Sequence, residues 1–455
     1  MTELFSYSSR LGTLSELYKN GEFFFTYRNS TSERSFSLYS LSETDKPVSE
    51  LYLGYSESDV LKSGKDILGE TFIANGDPSY TKIKEVLPAI TKNCYAFLGG
   101  VASSAGLTVD RDGKIYNQLS GRDRTPYPIF EPTVCDASLG SHSPRQCLVG
   151  KNLPLLVSVH TDGNNTLEFL YFVEPTECDR DPICWIRVKR YANPEPQNAT
   201  IEYRVAAISR EASETDHWEN QPSEELFLDA LLDTVAFWAD YSEMGARFDI
   251  PEKELARVAC ASAAFSSITC TCGRAHYGHR FYGKELHDNF PPNYIWIIQS
   301  LICLGRQDEA KKVFSYFMEH VLRSDGKINY RQGLSLVFGA SAAEYGMLLD
   351  LIARYSKTLE TDIKNTATFR KLIGMGEEII EHISVCSEFE GLKLVKMCAE
   401  ADTNERVHVY LNNNLWAVRG LEALALLIGE ENGKRYIFAA QELRDNICNW
   451  RTRFR

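Results

Sequence analysis

Ser213-Glu214-Thr215-Asp216-His217-Trp218-Glu219-Asn220-Gln221-Pro222 divides the chain into two kinds of sequence. Polar and closed by proline, it reads as a junction between elements rather than as an element itself. On its N-terminal side, from about residue 20 to 210, short aromatic and β-branched stretches alternate with turn residues, as antiparallel sheet requires. Gly21-Glu22-Phe23-Phe24-Phe25-Thr26-Tyr27 is one such stretch. Leu155–His160 and Leu167–Val173 flank the turn cluster Thr161-Asp162-Gly163-Asn164-Asn165 and predict a β-hairpin, with further strands around Ile183–Val188 and Ala199–Ala207. These segments predict an antiparallel β-sandwich, or a large twisted sheet, over residues 1–212.

On the C-terminal side the apolar period changes to that of helices. Amphipathic segments recur over Glu224–Tyr241, Pro251–Ser267, Phe290–Leu304, Asp308–Leu322, Ser341–Tyr355, Thr366–Ile383, Leu411–Ile428 and Gly433–Trp450, with no strand period between them. The joints alternate in length. Leu304-Gly305-Arg306-Gln307 is a tight turn with glycine at the helix end, whereas residues 323–340 and 384–410 are long connections. Short at one end and long at the other is the pattern of stacked helical hairpins. The long loops of an α/α toroid over residues 223–455 would gather at one face. No repeat of solenoid period supports the alternative of an α-solenoid.

Composition narrows the classes. At 455 residues and 44% hydrophobic content the chain has ample material for a core without staples. Lysine plus arginine total 49 against 62 acidic residues, a formal charge of −13, and such a surface repels phosphate backbones. Nucleic acid is therefore not an expected partner, and Arg451, Arg453 and Arg455 read as a solvated tail. No stretch is apolar for long enough to span a bilayer as a helix, so no membrane is expected as a partner. The beginning, Met1-Thr2-Glu3-Leu4-Phe5-Ser6, lacks a basic flank and an apolar core, which predicts a cytoplasmic chain. Twelve cysteines over this length, several in apolar stretches, predict reduced thiols. Cys178 and Cys184 could close a small loop only in an oxidising compartment. The C-x-C-x3-H-x2-H run from Cys270 to His279 is too compressed for a zinc-finger ligand set, and Gly99-Gly100 fits no phosphate-binding loop, so neither metal nor cofactor is expected.

Three loop-to-helix stretches carry the densest chemistry. His276-Tyr277-Gly278-His279-Arg280-Phe281-Tyr282-Gly283-Lys284-Glu285-Leu286-His287-Asp288-Asn289-Phe290-Pro291-Pro292 combines aromatic platforms for sugar faces with groups that bond hydroxyls. Asp288 or Asn289 equally suits capping of the helix that the prolines open. The second stretch runs from Asp325-Gly326, a turn signal, through Tyr330 and Arg331 to Ser341 and Glu344. Those last two stand in capping-box spacing, which gives Glu344 a structural reading beside a catalytic one. The third holds Glu400, Asp402 and Glu405, then Asn412-Asn413-Asn414-Leu415-Trp416, whose three amides offer donors and acceptors at a helix start.

Taken together, Tyr282-Gly283…His287-Asp288-Asn289-Phe290-Pro291, Asp325-Gly326…Tyr330, Ser341…Glu344-Tyr345-Gly346 and Asn414-Leu415-Trp416-Ala417-Val418-Arg419-Gly420-Leu421 resemble the six-hairpin, (α/α)6-toroid glycosidase superfamily over roughly residues 220–450. Many members of that superfamily carry a β-sandwich before the toroid. The resemblance implies hydrolysis of a glycosidic bond by two carboxyl groups, one protonating the leaving oxygen and one driving water or attacking carbon. It nominates Asp288 as the acid, with Glu344, Glu400 and Asp402 competing as its partner. Tyr282, His287, Tyr330, Arg331, Asn414 and Trp416 are nominated to bind a small-molecule or oligosaccharide substrate. About eight helices fall short of six hairpins, which predicts a partial toroid or a missing face supplied by a second copy. Two other readings follow. The scaffold could have lost hydrolysis and act as an accessory or cyclase-like protein in a secondary-metabolite pathway of fungal type, or it could be a non-catalytic carbohydrate-binding module.

Overall fold

The computed structural model describes residues 1–41, 51–52, 54–74, 76, 79, 96–101, 107–110, 113–117, 130, 145–161, 164–175, 180–193, 195–207, 219–220, 222–275, 291–329, 340–399 and 406–453. Antiparallel sheets fill the first half and helices the second. The sheet begins earlier than about residue 20: β1 (Thr2–Ser9) and β2 (Gly12–Lys19) precede β3 (Glu22–Arg28) and β4 (Glu33–Ser40) in a four-stranded meander. β1 shows no buried residue, so its apolar alternation is too weak to read from the chain alone. The β2–β3 turn is Asn20-Gly21, both at positive φ (52° and 85°), the pairing that suits a two-residue hairpin.

A small hairpin, β5 (Leu51–Tyr52) and β6 (Tyr55–Ser56), leads into two short helices, α1 (Glu57–Ser63) and α2 (Ile67–Ala74). A three-stranded sheet follows, made of β7 (Ala96–Leu98), β8 (Leu107–Val109) and β9 (Ile115–Asn117). The largest sheet is a six-stranded meander of β10 (Arg145–Leu148), β11 (Leu156–Thr161), β12 (Asn165–Val173), β13 (Ile183–Ala192), β14 (Thr200–Ala207) and β15 (Glu219–Asn220). The expected hairpin is its centre, with Leu156 opposite Tyr171 and Thr161 opposite Thr166. Every residue of β12 from Thr166 to Val173 is buried, because both faces of the sheet are covered. Leu170, Phe172 and Trp185 share a core with Phe23 and Phe25 of β3, while Phe169, Tyr171 and Ile186 pack with Leu107, Val109 and Ile115.

Between the four- and six-stranded sheets lies a charge network closed to water. Arg187 on β13 donates from Nη1 to Glu16 of β2 (2.5 Å) and from Nη2 to Glu168 of β12 (2.6 Å). Lys189 Nζ donates to the other Glu16 oxygen at 2.6 Å, and Tyr39 OH of β4 donates to Glu168 Oε2 at 2.6 Å while meeting Tyr191 OH at 2.8 Å. Two cations face two anions, with Phe23 beneath the Lys189 ammonium. Burial pushes the Glu16 carboxyl up, but the charges and hydrogen bonds of Arg187 and Lys189 outweigh it and hold the group at about 2.

The helices are α3 (Glu224–Glu243), α4 (Lys253–Ile268), α5 (Pro291–Cys303), α6 (Gln307–Tyr316, continuing as a wide turn over Phe317–Val321), α7 (Ala342–Tyr355), α8 (Thr366–Glu381), α9 (Leu411–Ile428) and α10 (Glu430–Arg453). These match the eight expected segments within a few residues. The expectation that no strands intervene is overturned. β16 (Cys270–Thr271) pairs with β17 (Arg274–Ala275), and the 384–410 connection contains an antiparallel sheet of β18 (Ile383–Cys386), β19 (Leu392–Met397) and β20 (His408–Val409). Strands of two to six residues are too short for a period-2 pattern to stand out. Helix α3 packs on the sheets as well as on α4: Phe227 lies edge-on to Phe172 (5.4 Å) and Trp185 (5.9 Å), and Ala264 and Ile268 of α4 join the same core. Helices α7 and α9 run parallel in close contact, since a Cβ on Gly346 would stand 2.1 Å from the Trp416 carbonyl oxygen and one on Gly420 would stand 2.5 Å from the Gly346 Cα.

Two outcomes follow from these contacts. Gly346→Ala drives a methyl into backbone and is expected to lower unfolding stability by about 1–3 kcal/mol in urea titration, with Gly420→Ala acting on the same contact and therefore non-additively. Because the Glu16 carboxyl is depressed in the folded chain, its contribution is complete above the unfolded value near 4.5 and is lost as pH falls toward 2. On the order of 3 kcal/mol should disappear across that window, and Glu16→Gln should show a correspondingly flatter profile while costing about 3–5 kcal/mol at neutral pH.

Candidate functional site

Helices α5, α7 and α9 all begin at one end of the helical array. Tyr294 in the first turn of α5 meets Tyr316 (ring centroids 6.3 Å) and Phe317 (5.0 Å) at the end of α6, so these two helices are antiparallel. The chain leaving α6 returns through Ile328, whose backbone N–H donates to Tyr345 OH at 3.0 Å in the first turn of α7. Ser341 Oγ, just before α7, donates to Asn413 Oδ1 at the start of α9 (2.8 Å). The loops entering this end are the three singled out by their chemistry.

One amide joins two of those loops. Asn413 Oδ1 accepts from Ser341 Oγ and from the Ala343 N–H (3.3 Å), while its Nδ2 donates to the Cys398 carbonyl at 2.7 Å. Cys398 N–H in turn donates to Ala340 O at 3.1 Å, so the chain leading toward Glu400 runs beside the chain leading toward Glu344. Asn414 behaves like a piece of added strand. Its Oδ1 accepts from Val395 N–H (2.8 Å), and its Nδ2 donates to Val395 O (3.2 Å) and Tyr410 O (2.8 Å). Both amides are fully buried.

The proposed capping box is not formed. Ser341 is the N-cap of α7, but its hydroxyl is turned to Asn413 and makes no cap bond, and the same amide accepts from Ala343 N–H. Glu344 is the other member of that spacing. It sits in the first turn of α7 at 2% exposure, where the positive end of the helix favours a carboxylate. Burial drives the neighbouring Tyr345 phenol well above its usual value; the Ile328 N–H counters this, and the Glu378 and Glu344 charges add to it. Trp416 is half-buried against the helical core one turn into α9. Asp288, Glu400, Asp402, Tyr282, His287, Tyr330 and Arg331 lie outside the described residues, so the structure brings together Glu344, Asn414 and Trp416 of the nominated set.

Sequence reasoning did not single out Asn413 as the residue tying α7, α9 and the end of β19 together; the asparagine triplet was the available signal. Chemically, the described part of the site supplies one enclosed carboxyl at converging helix N-termini. A second acid would have to come from the loops around 288 or 400–402. Of the compressed cysteine–histidine run, Cys270 is buried with its thiol pushed up to about 12 by burial, Cys272 is exposed, and both histidines lie outside the described residues. Among the described residues no cluster of three or more histidine, cysteine or acidic side chains could hold a metal, and no helix is long and apolar enough to cross a membrane.

No family model matches the chain, and no curated protein does. Among solved structures it is similar to a bacterial glucoamylase in complex with acarbose, at 12% sequence identity and a TM-score of 0.49. That likeness covers 80% of this chain and 66% of the glucoamylase, so the chain spans just under two thirds of the length of the structure it matches.

Proposed function

We propose that the chain is a glycosidase-like scaffold, a β-sandwich over residues 1–212 followed by an incomplete α/α toroid over 223–455, that cleaves a glycosidic bond in an oligosaccharide-like substrate with a pair of carboxyl groups. The observation that carries this reading is Glu344. It is an acid buried in the first turn of α7, at the end of the array where three helices begin. Burying a carboxyl away from water is unfavourable, and folded chains keep such groups where they are paired or used. In this reading Glu344 is one member of the pair, and Asp288, Glu400 or Asp402 supplies the other. One acid protonates the leaving oxygen while the other, ionised, directs water or attacks carbon. A separation of about 5 Å would give retention and about 6.5–9.5 Å inversion. Tyr282, His287, Tyr330, Arg331 and Trp416 would line the substrate, and Asn414 would brace α9 beneath it.

A second reading is favoured by how enclosed Glu344 is. Its chain neighbours Ala342, Ala343, Tyr345 and Met347 all belong to the apolar core. A single acid with apolar walls suits protonation or shaping of an apolar intermediate, as in an accessory or cyclase-like protein, better than it suits a polyhydroxylated sugar.

Aryl glycosides separate the two. Hydrolysis by the unmodified chain that falls about 100- to 10,000-fold in kcat with Glu344→Gln and with Asp288→Asn is expected for paired carboxyls. Hydrolysis that survives both changes would remove these two acids from the mechanism, and absence of any hydrolysis by a folded chain would favour the second reading.

A further inference from the structure

We propose that helix α9, with α10 beside it, is the interface of a symmetric dimer of this chain. The contrast with α7 motivates it. From Ala342 to Ile352 every residue of α7 is buried, as expected of a helix flanked on all sides. Helix α9 lies parallel to α7 and is buried over most of its circumference, yet it leaves one narrow stripe in water: Leu411, Leu415, Arg419, the partly exposed Glu422, and Leu426. These stand four, four, three and four residues apart, the spacing of a single helix face. Leu415 is 52% and Leu426 78% exposed. Arg444 of α10 pairs with Glu422, and Ile437, seven residues before Arg444 and so on the same side of α10, extends the patch at half exposure.

The occupant can be read from the order of residues along the stripe. A neighbouring helix of opposite direction related by a two-fold axis passing between Gly420 and Leu421 places Leu415 against Leu426 of the second copy, and the reverse. The same axis places Arg419 against Glu422 of the second copy. One register therefore matches leucine with leucine and cation with anion, the self-complementarity an isologous interface needs. Arg419 gives its Nε to Asp350 at 2.7 Å, and its side chain remains more than half exposed with further N–H groups to offer. A second copy thus covers the side of α9 that faces away from α7.

Sedimentation velocity of the full chain tests this. The unmodified chain is expected to sediment as a dimer at about 100 µM and to dissociate on dilution. Each of Leu415→Glu and Leu426→Glu strikes the interface twice and should weaken dimerisation by about 100-fold or more, with the melting temperature of the monomer nearly unchanged for Leu426→Glu, whose side chain is mostly in water. Arg419→Glu should also weaken it, and adding Glu422→Arg should restore it, an outcome that does not depend on either leucine variant folding. A monomeric unmodified chain at that concentration, a dimer indifferent to both leucine changes, or no rescue by the charge exchange overturns the proposal.

Discussion

The two principal sheets are held face to face by a guanidinium and an ammonium that cannot reach water. Arg187 and Lys189 stand on β13, and the carboxylates that neutralise them come from Glu16 of the other sheet and Glu168 of the neighbouring strand. Such a network is stabilising only when every charge is matched, because an unmatched ion in that setting carries a desolvation cost of several kcal/mol. It therefore fixes which residues face one another across the layer, and a slip of one residue in β13 would turn both cations to the opposite face. Apolar packing by Phe23, Phe25, Leu170 and Phe172 supplies area around it without supplying that register.

The seating of the sheets has consequences for the helices. Trp185 and Phe172, held in place beside the network, form the floor on which Phe227 of α3 packs. The end of α3 is in turn fixed to the α5–α6 turn, where Arg306 lies over the Tyr241 ring at 3.7 Å and donates to its carbonyl. From there the array proceeds by close backbone approaches, of which the Gly346–Gly420 contact between α7 and α9 leads to the candidate site. Asn413 then sets the ends of two site-bearing loops against each other. Glu344 occupies the position that this chain of contacts creates.

Much of this was legible from the residues. The hairpin on either side of residues 161–165, the strands after it, and the long helices from α3 to α10 follow from apolar period and turn residues, which are local properties. The asparagine triplet announced itself by composition. What local pattern did not yield was the partner of each polar group. Glu16, Arg187 and Lys189 sit in strands whose alternation is respectable but whose burial depends on a second sheet more than 100 positions away in sequence. Ser341 and Glu344 stand at capping-box spacing, yet the Ser341 hydroxyl is turned away to an amide of α9. Short strands such as β18 to β20 exist by pairing with one another, not by propensity.

By itself, then, the sequence determined the order of the longer strands and helices, the change from sheet to helix after Pro222, the acidic charge and the loops dense in chemistry. Tertiary structure alone decided that α3 serves the sheets, that Asn413 takes the Ser341 hydroxyl and the Ala343 N–H at the start of α7, and that α9 keeps one leucine-bearing stripe in water. The physical reason is the range of the forces concerned. Helical and strand periodicity is written within a few residues, whereas burial of a charge, satisfaction of an amide and exposure of a leucine depend on what distant segments bring alongside them.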